Sequence, residues 1–213
     1  MLKTKLSIVV LSMISLASVA QSKFDLSKLA NDKKLVMSNR ALVVDTKTKS
    51  IKLDERSGQG LATIKDVTFT TGTIEVDLKG KDVVQKSFIG VAFHIQNDST
   101  FEAIYFRPFN FHAEDPIRKI HAVQYVFQPV YTWYKLREER NGEFEKAIDN
   151  APNANDWFRA KIEVTDQEVL VYVNNSATPS LKVARLSTSN TGGIALWTGE
   201  GSGGEFKSLV ISK

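Results

Sequence analysis

The sequence predicts an all-β fold, a sandwich or a barrel. Two observations carry that prediction. About ten to twelve short runs place apolar residues at every second position, the mark of a half-buried strand, and turn-forming residues close each run. Apolar residues at helical spacing are almost absent, and many short strands with few helices form sandwiches or barrels. The 213 residues, 42% of them hydrophobic, can bury a sizeable core. With no cysteine, disulfides, thiolate metal sites and cysteine nucleophiles are excluded. No internal repeat or linker interrupts the pattern, so residues 21–213 are expected to form a single domain.

The elements follow in order. Residues 21–40 are lysine-rich and weakly periodic, a lead-in segment with one helical turn expected near Leu26–Leu29. Ala41–Asp45 and Ser50–Asp54 flank a turn at Thr46–Lys49, and Gly60–Lys65 alternates small and apolar residues. Thr73–Leu78 sets Ile74, Val76 and Leu78 on one face and Thr73, Glu75 and Asp77 on the other. Phe88–Gln96 opposes Ile89, Val91, Phe93 and Ile95 to Gly90, Ala92, His94 and Gln96. After the turn cluster Asn97-Asp98-Ser99, Phe101–Arg107 runs up to Pro108, which cannot donate to a ladder.

Residues 109–120 read as a polar, aromatic loop, and His121–Phe127 as a strand stopped by Pro129. Residues 128–156 form a long insertion. There Asn141-Gly142 predicts a hairpin turn in place of a helix over Lys135–Lys146. Trp157–Val164 and Val169–Val173 alternate as a pair, with Trp157 expected in the core. Gly193–Thr198 and Phe206–Ile211 are the last strands, joined by the glycine-rich Gly199–Gly204.

The first twenty residues read as an address. Lys3 and Lys5 precede an apolar stretch of about eleven residues, and Ala17-Ser-Val-Ala20 makes a small-x-small cleavage site. The stretch is short of the roughly 20 apolar residues that span a bilayer. Residues 1–20 are therefore expected to be a cleaved signal peptide, with a secreted or periplasmic mature chain of 193 residues and no membrane span left after cleavage. The formal charge of +4 loses its two leader lysines and falls to +2. That balance does not make the clustered basic face of a nucleic-acid binder.

Several segments are informative together: Gly72-Thr-Ile-Glu-Val-Asp-Leu78, Ser87-Phe-Ile-Gly-Val-Ala-Phe93, Tyr105-Phe-Arg-Pro-Phe-Asn110, Val123-Gln-Tyr-Val126, Trp157-Phe-Arg-Ala-Lys-Ile-Glu-Val164, Val171-Tyr-Val-Asn174 and Gly193-Ile-Ala-Leu-Trp197. Their order resembles the concanavalin A-like lectin/glucanase superfamily across residues 40–213. Within it they are most similar to the laminin-G-like and 3-keto-disaccharide-hydrolase-like domains of secreted bacterial proteins. The resemblance implies a jelly-roll β-sandwich of two antiparallel sheets, with a concave sheet that holds sugar in many relatives. A shared fold leaves the chemistry open.

Catalysis finds little support in the residues. Glu75 and Asp77 lie two apart on one strand face, and a retaining glycosidase needs two carboxyl groups about 5–5.5 Å apart. Glucanases of the superfamily carry a third carboxylate further along that strand, where this chain has Lys79 and Gly80. The pair therefore reads first as a solvated strand face, and no catalytic residue is assigned. No cofactor or metal is expected. Asp98 with Glu102, or Glu114 with Asp115, offers the oxygen donors that Ca²⁺ prefers, but without a Ca²⁺-loop spacing.

The middle strands carry the binding candidates. A meander through residues 88–127 is expected to gather His94, Tyr105, Arg107 and Gln124 on one face, with Asn110 in the loop beyond. Such a face suits a wall that hydrogen-bonds hydroxyls or a carboxylate. Trp133 in the insertion and Trp197 beside the glycine loop are candidate sugar platforms. The leading expectation is a carbohydrate-binding domain that recognises a glycan or glycoside in a concave groove. Two alternatives stay open: a hydrolase or lyase acting on ordinary or keto-glycosides, as the resemblance implies, and an envelope protein-interaction domain that docks through residues 128–156.

Overall fold

In the computed structural model, which describes residues 21–213, the alternating runs become strands; the expected leader, residues 1–20, lies outside the described residues. The chain begins with β1 (Gln21–Phe24), α1 (Leu26–Asn31) and β2 (Leu35–Ser38). It continues through β3 (Leu42–Asp45), β4 (Ser50–Arg56), β5 (Gly60–Ile64) and β6 (Gly72–Lys79). A meander follows, made of β7 (Ile89–Asn97), β8 (Thr100–Phe106), β9 (Val123–Gln128) and β10 (Glu145–Lys146). Its connections hold α2 (Pro116–Lys119), after β8, and α3 (Trp133–Glu139), after β9. The chain ends with β11 (Phe158–Val164), β12 (Glu168–Val173), β13 (Leu181–Ala184), β14 (Gly193–Thr198) and β15 (Ser202–Ser212).

All strand pairs are antiparallel and sort into two sheets. The first runs β13-β12-β11-β6-β15-β4-β3, with β1 added on β15, and the second runs β10-β9-β8-β7-β14-β5-β2. The sheets meet face to face. Phe106 of β8 packs edge-on against Phe158 of β11, ring centroids 5.0 Å apart. Phe106 therefore points inward, and by strand alternation its neighbour Tyr105 points outward. Ile89, Val91, Phe93 and Ile104 share the inner side with Phe106; Ile74, Val76, Leu78 and Ile162 meet them from the first sheet, all buried. Each such side chain contributes about 1.5–3 kcal/mol relative to an exposed one. This is the jelly-roll sandwich expected, closed by packing without disulfides.

Several expectations are corrected. His94 does not stand beside Tyr105. The register of β7 against β8 shifts between Phe93 and Asn97, and His94 adopts φ 49°, so the alternation ends at Phe93. The imidazole turns to stack on Phe69 at 5.7 Å, and its Nε2 lies 2.6 Å from the Thr70 carbonyl oxygen. Its Nδ1 reaches Glu102 at 2.8 Å. Glu102 lies on the inner face and is fully buried, so it is no calcium partner for Asp98, which accepts from Ser38 in an exposed turn. A charge inside a sandwich persists only when paired; Glu102 accepts from Arg185 at 2.6 Å and from the Tyr125 hydroxyl at 2.5 Å.

Glu75 and Asp77 lie on the outer face of the first sheet, away from the meander. Arg159, opposite them on β11, bridges both: Nε donates to Glu75 at 3.0 Å and Nη1 to Asp77 at 2.9 Å. Trp157 is only half-buried, on that same face beneath Lys79 and Lys207, whose ammonium is 4.2 Å from the ring centroid. The insertion forms α3 where a hairpin was expected. The Thr132 hydroxyl caps it by accepting from the Lys135 amide at 3.3 Å. The Asn141-Gly142 turn, with Gly142 at φ +72°, instead leads the chain from α3 into β10.

Candidate functional site

The outer face of the second sheet carries an open cleft of about 830 Å³. Its floor follows from the register. Tyr105 on β8 and Trp197 on β14 both pair with Gly90 on β7, so the two rings flank a position without a side chain. The rings approach to 4.9 Å, tilted by 43°. Phe88, two residues before Gly90 and of the same parity, sets its edge on Tyr105 at 6.3 Å and on Phe109 at 5.5 Å. Trp133, from the first turn of α3, stands 46% exposed at the rim.

Polar groups surround this aromatic floor. Arg107 follows β8 at the point where Pro108 ends the ladder, and its guanidinium lies 4.8 Å from the Tyr105 ring centroid. Nη2 of Arg107 donates to the Tyr105 hydroxyl at 2.6 Å, and Nη1 donates to the His121 carbonyl at 2.9 Å. The Tyr105 hydroxyl and Arg107 both donate to Oε1 of Gln124, which is fully buried. Burial pushes the Tyr105 phenol up and the Arg107 guanidinium down from their ordinary values. Glu145 on β10, paired in register with Gln124, is buried behind this wall. Arg137 of α3 grips it with two bonds of 2.8 Å. His121 Nδ1 is 2.8 Å from Glu145 but outside hydrogen-bonding geometry; burial holds its imidazole below the usual histidine value.

No protein-family model matches the chain, and no curated protein matches it. Solved structures do match its backbone. A Bacillus subtilis protein of unknown function with a galectin-like fold is 13% identical, covers 94% of this chain and 98% of its own, and has a TM-score of 0.61. The carbohydrate-binding module CBM66 from Bacillus subtilis is 11% identical over 84% of this chain and 92% of its own, TM-score 0.55. A native glycosidic hydrolase is 13% identical over 92% and 97%, TM-score 0.57. The chain has the concanavalin A-like lectin/glucanase fold. At these identities the likeness is one of fold alone.

On this concanavalin A-like frame, Tyr105, Arg107, Asn110, Trp133 and Trp197 line the cleft just described. Gln124 sits behind its wall, His94 lies in the interior network, and Glu75 and Asp77 occupy the opposite sheet. Among the described residues, no three His, Cys, Asp or Glu side chains converge to hold a metal ion. Asp115 is taken up as the cap of α2, accepting from the Ile117 amide at 2.8 Å. Sequence reasoning missed Phe88, Arg118, Arg137 and Glu145. Phe88 was accessible through its parity with Gly90. The other three depend on how α2, α3 and β10 fold back on the sheet.

Proposed function

We propose that the chain is an exported carbohydrate-binding domain that holds a saccharide in the cleft over Trp197 and Tyr105. The observation that carries this reading is the convergence of an aromatic floor with Arg107, Asn110 and Arg118 around one open cleft. Sugar rings present apolar C–H faces that stack on aromatic rings, while a few placed donors fix the hydroxyls. A carbohydrate-binding module and a glycosidic hydrolase share this fold, which agrees with it. The pattern of residues 1–20 supports export to the periplasm or the exterior. Among the described residues no helix is long and apolar enough to cross a membrane.

Binding is favoured over hydrolysis. Glycoside hydrolysis commonly uses two carboxyl groups, one of them kept protonated. The cleft is lined by one carboxylate, Glu200, which accepts from the Gly58 amide at 2.6 Å and the Ser57 hydroxyl at 2.9 Å. Those bonds hold it below the usual carboxylate range, the wrong direction for a general acid. The finer likeness to 3-keto-disaccharide hydrolases stays with the rival reading, an enzyme on keto-glycosides.

A glycan array probed with the purified protein tests the proposal. At least one glycan class is expected to bind, and Trp197→Ala is expected to remove that signal while the far-ultraviolet spectrum stays β-rich. An array with no glycan above background would overturn it.

A further inference from the structure

Resting on the saccharide reading above, we propose that the ligand is an acidic saccharide, and that a uronate carboxylate docks where Arg107, Arg118 and Arg137 meet at one end of the cleft. Three guanidinium groups line this end. One buried carboxylate, Glu145, answers two of them: Arg137 holds it in a fork, and Arg107 stands 3.6 Å away. Arg118 pairs with no carboxylate among the described residues. It is held by neutral acceptors, Nε donating to Asn110 at 3.2 Å and Nη2 to the Phe109 carbonyl at 3.0 Å. These bonds fix the fork with no carboxylate within 4 Å among the described residues; the acids nearest in the fold, Asp82, Glu114 and Asp115, line the neighbouring cavity on its other side.

A second observation falls at the same place. Among the described residues, the buried side-chain atoms without a hydrogen-bond partner are Gln124 Nε2 and His121 Nδ1. Buried polar atoms are normally paired; His121 Nδ1 has the Glu145 carboxylate at 2.8 Å, and Gln124 Nε2, in the wall beside Arg107, is the one left unanswered. The one carboxylate on the lining, Glu200, is tied to Ser57 and Gly58 beyond β14, across β8 and β7 from the arginines. The cleft is therefore polarised: arginines toward β9 and β10, the acid beyond β14. A planar carboxylate matches the guanidinium fork, and the aromatic floor next to it takes the ring that carries the carboxylate.

Calorimetry on the purified protein with oligogalacturonate, oligomannuronate and oligoglucuronate, each beside its methyl ester, tests the inference. At least one acid is expected to bind tenfold or more tighter than its own ester. Salt near 1 M, where the screening length is about 3 Å, is expected to erase the difference. Arg118→Gln is expected to remove the acid's advantage, bringing acid and ester to the same affinity; Arg118→Lys keeps part of it. If each ester binds as tightly as its acid, the charge inference fails and the saccharide reading stands. If no acid or neutral glycan binds, both fail. If Arg118→Gln keeps the full advantage, the docking end is wrong.

Discussion

The indole of Trp197 and the phenol ring of Tyr105 lie 4.9 Å apart across Gly90, which pairs in register with both. A β-carbon at Gly90 would collide with the Ile104 carbonyl oxygen and stand 2.6 Å from Tyr105 Cα. Glycine is thus what lets β7 and β8 close beneath the aromatic floor. Gly90→Ala should cost about 1–3 kcal/mol, as overpacking does, and should weaken saccharide binding by shifting Tyr105. Urea unfolding followed by tryptophan fluorescence reads the first effect; an unchanged midpoint would show that the strands can give.

The interior network predicts acid sensitivity. Burial pushes the Glu102 carboxyl up, but hydrogen bonds from His94, Arg185 and Tyr125 outweigh it and hold the group below its ordinary value. The native state therefore binds fewer protons there than the unfolded chain. The resulting stability is present above the unfolded carboxylate value and is lost as pH falls through the folded one. Melting temperature should hold to about pH 5 and decline below it. Glu102→Gln should flatten that decline and, by leaving Arg185 buried without its partner, cost about 3–5 kcal/mol at neutral pH. A variant as stable as the wild type would contradict the pairing.

The carboxylates on the first sheet serve as a control. Glu75 and Asp77 meet only partly exposed Arg159, and such pairs contribute about 0–1 kcal/mol. Replacing them together, Glu75→Gln with Asp77→Asn, should leave glycan binding unchanged in the array assay. Loss of binding would move the site to the opposite sheet.

Trp133 separates binding from folding. The residue is 46% exposed, and its main partner is the Arg137 guanidinium, 5.1 Å from the ring centroid. Trp133→Ala should therefore change stability by no more than about 1 kcal/mol while weakening glycan binding severalfold. A large drop in melting temperature would show that the rim is structural.

Alternation made most of the sandwich legible. Runs such as Thr73–Leu78 have one face buried and one wet, so their period of two survives in the sequence. The strands without a legible pattern, β1, β2, β10 and β13, are two to four residues long, too short to display a period. Tyr105, Arg107 and Asn110 could be read because they lie on or just beyond a regular strand. His94 could not, since a register shift and one positive φ turn it out of phase. Arg118, Arg137 and Glu145 come to the cleft through tertiary packing of two short helices and a two-residue strand, which leaves no periodic trace.

The three tryptophans offer the most direct test of a saccharide-binding cleft on the second sheet. Trp197 and Trp133 line it, and Trp157 sits on the outer face of the first sheet under Lys79 and Lys207. Their indole N–H resonances can be followed by nitrogen-15 NMR as a glycan that scores on the array is added. The account predicts that the Trp197 and Trp133 signals move together along one binding curve while the Trp157 signal stays still. Movement of Trp157 alone would contradict it.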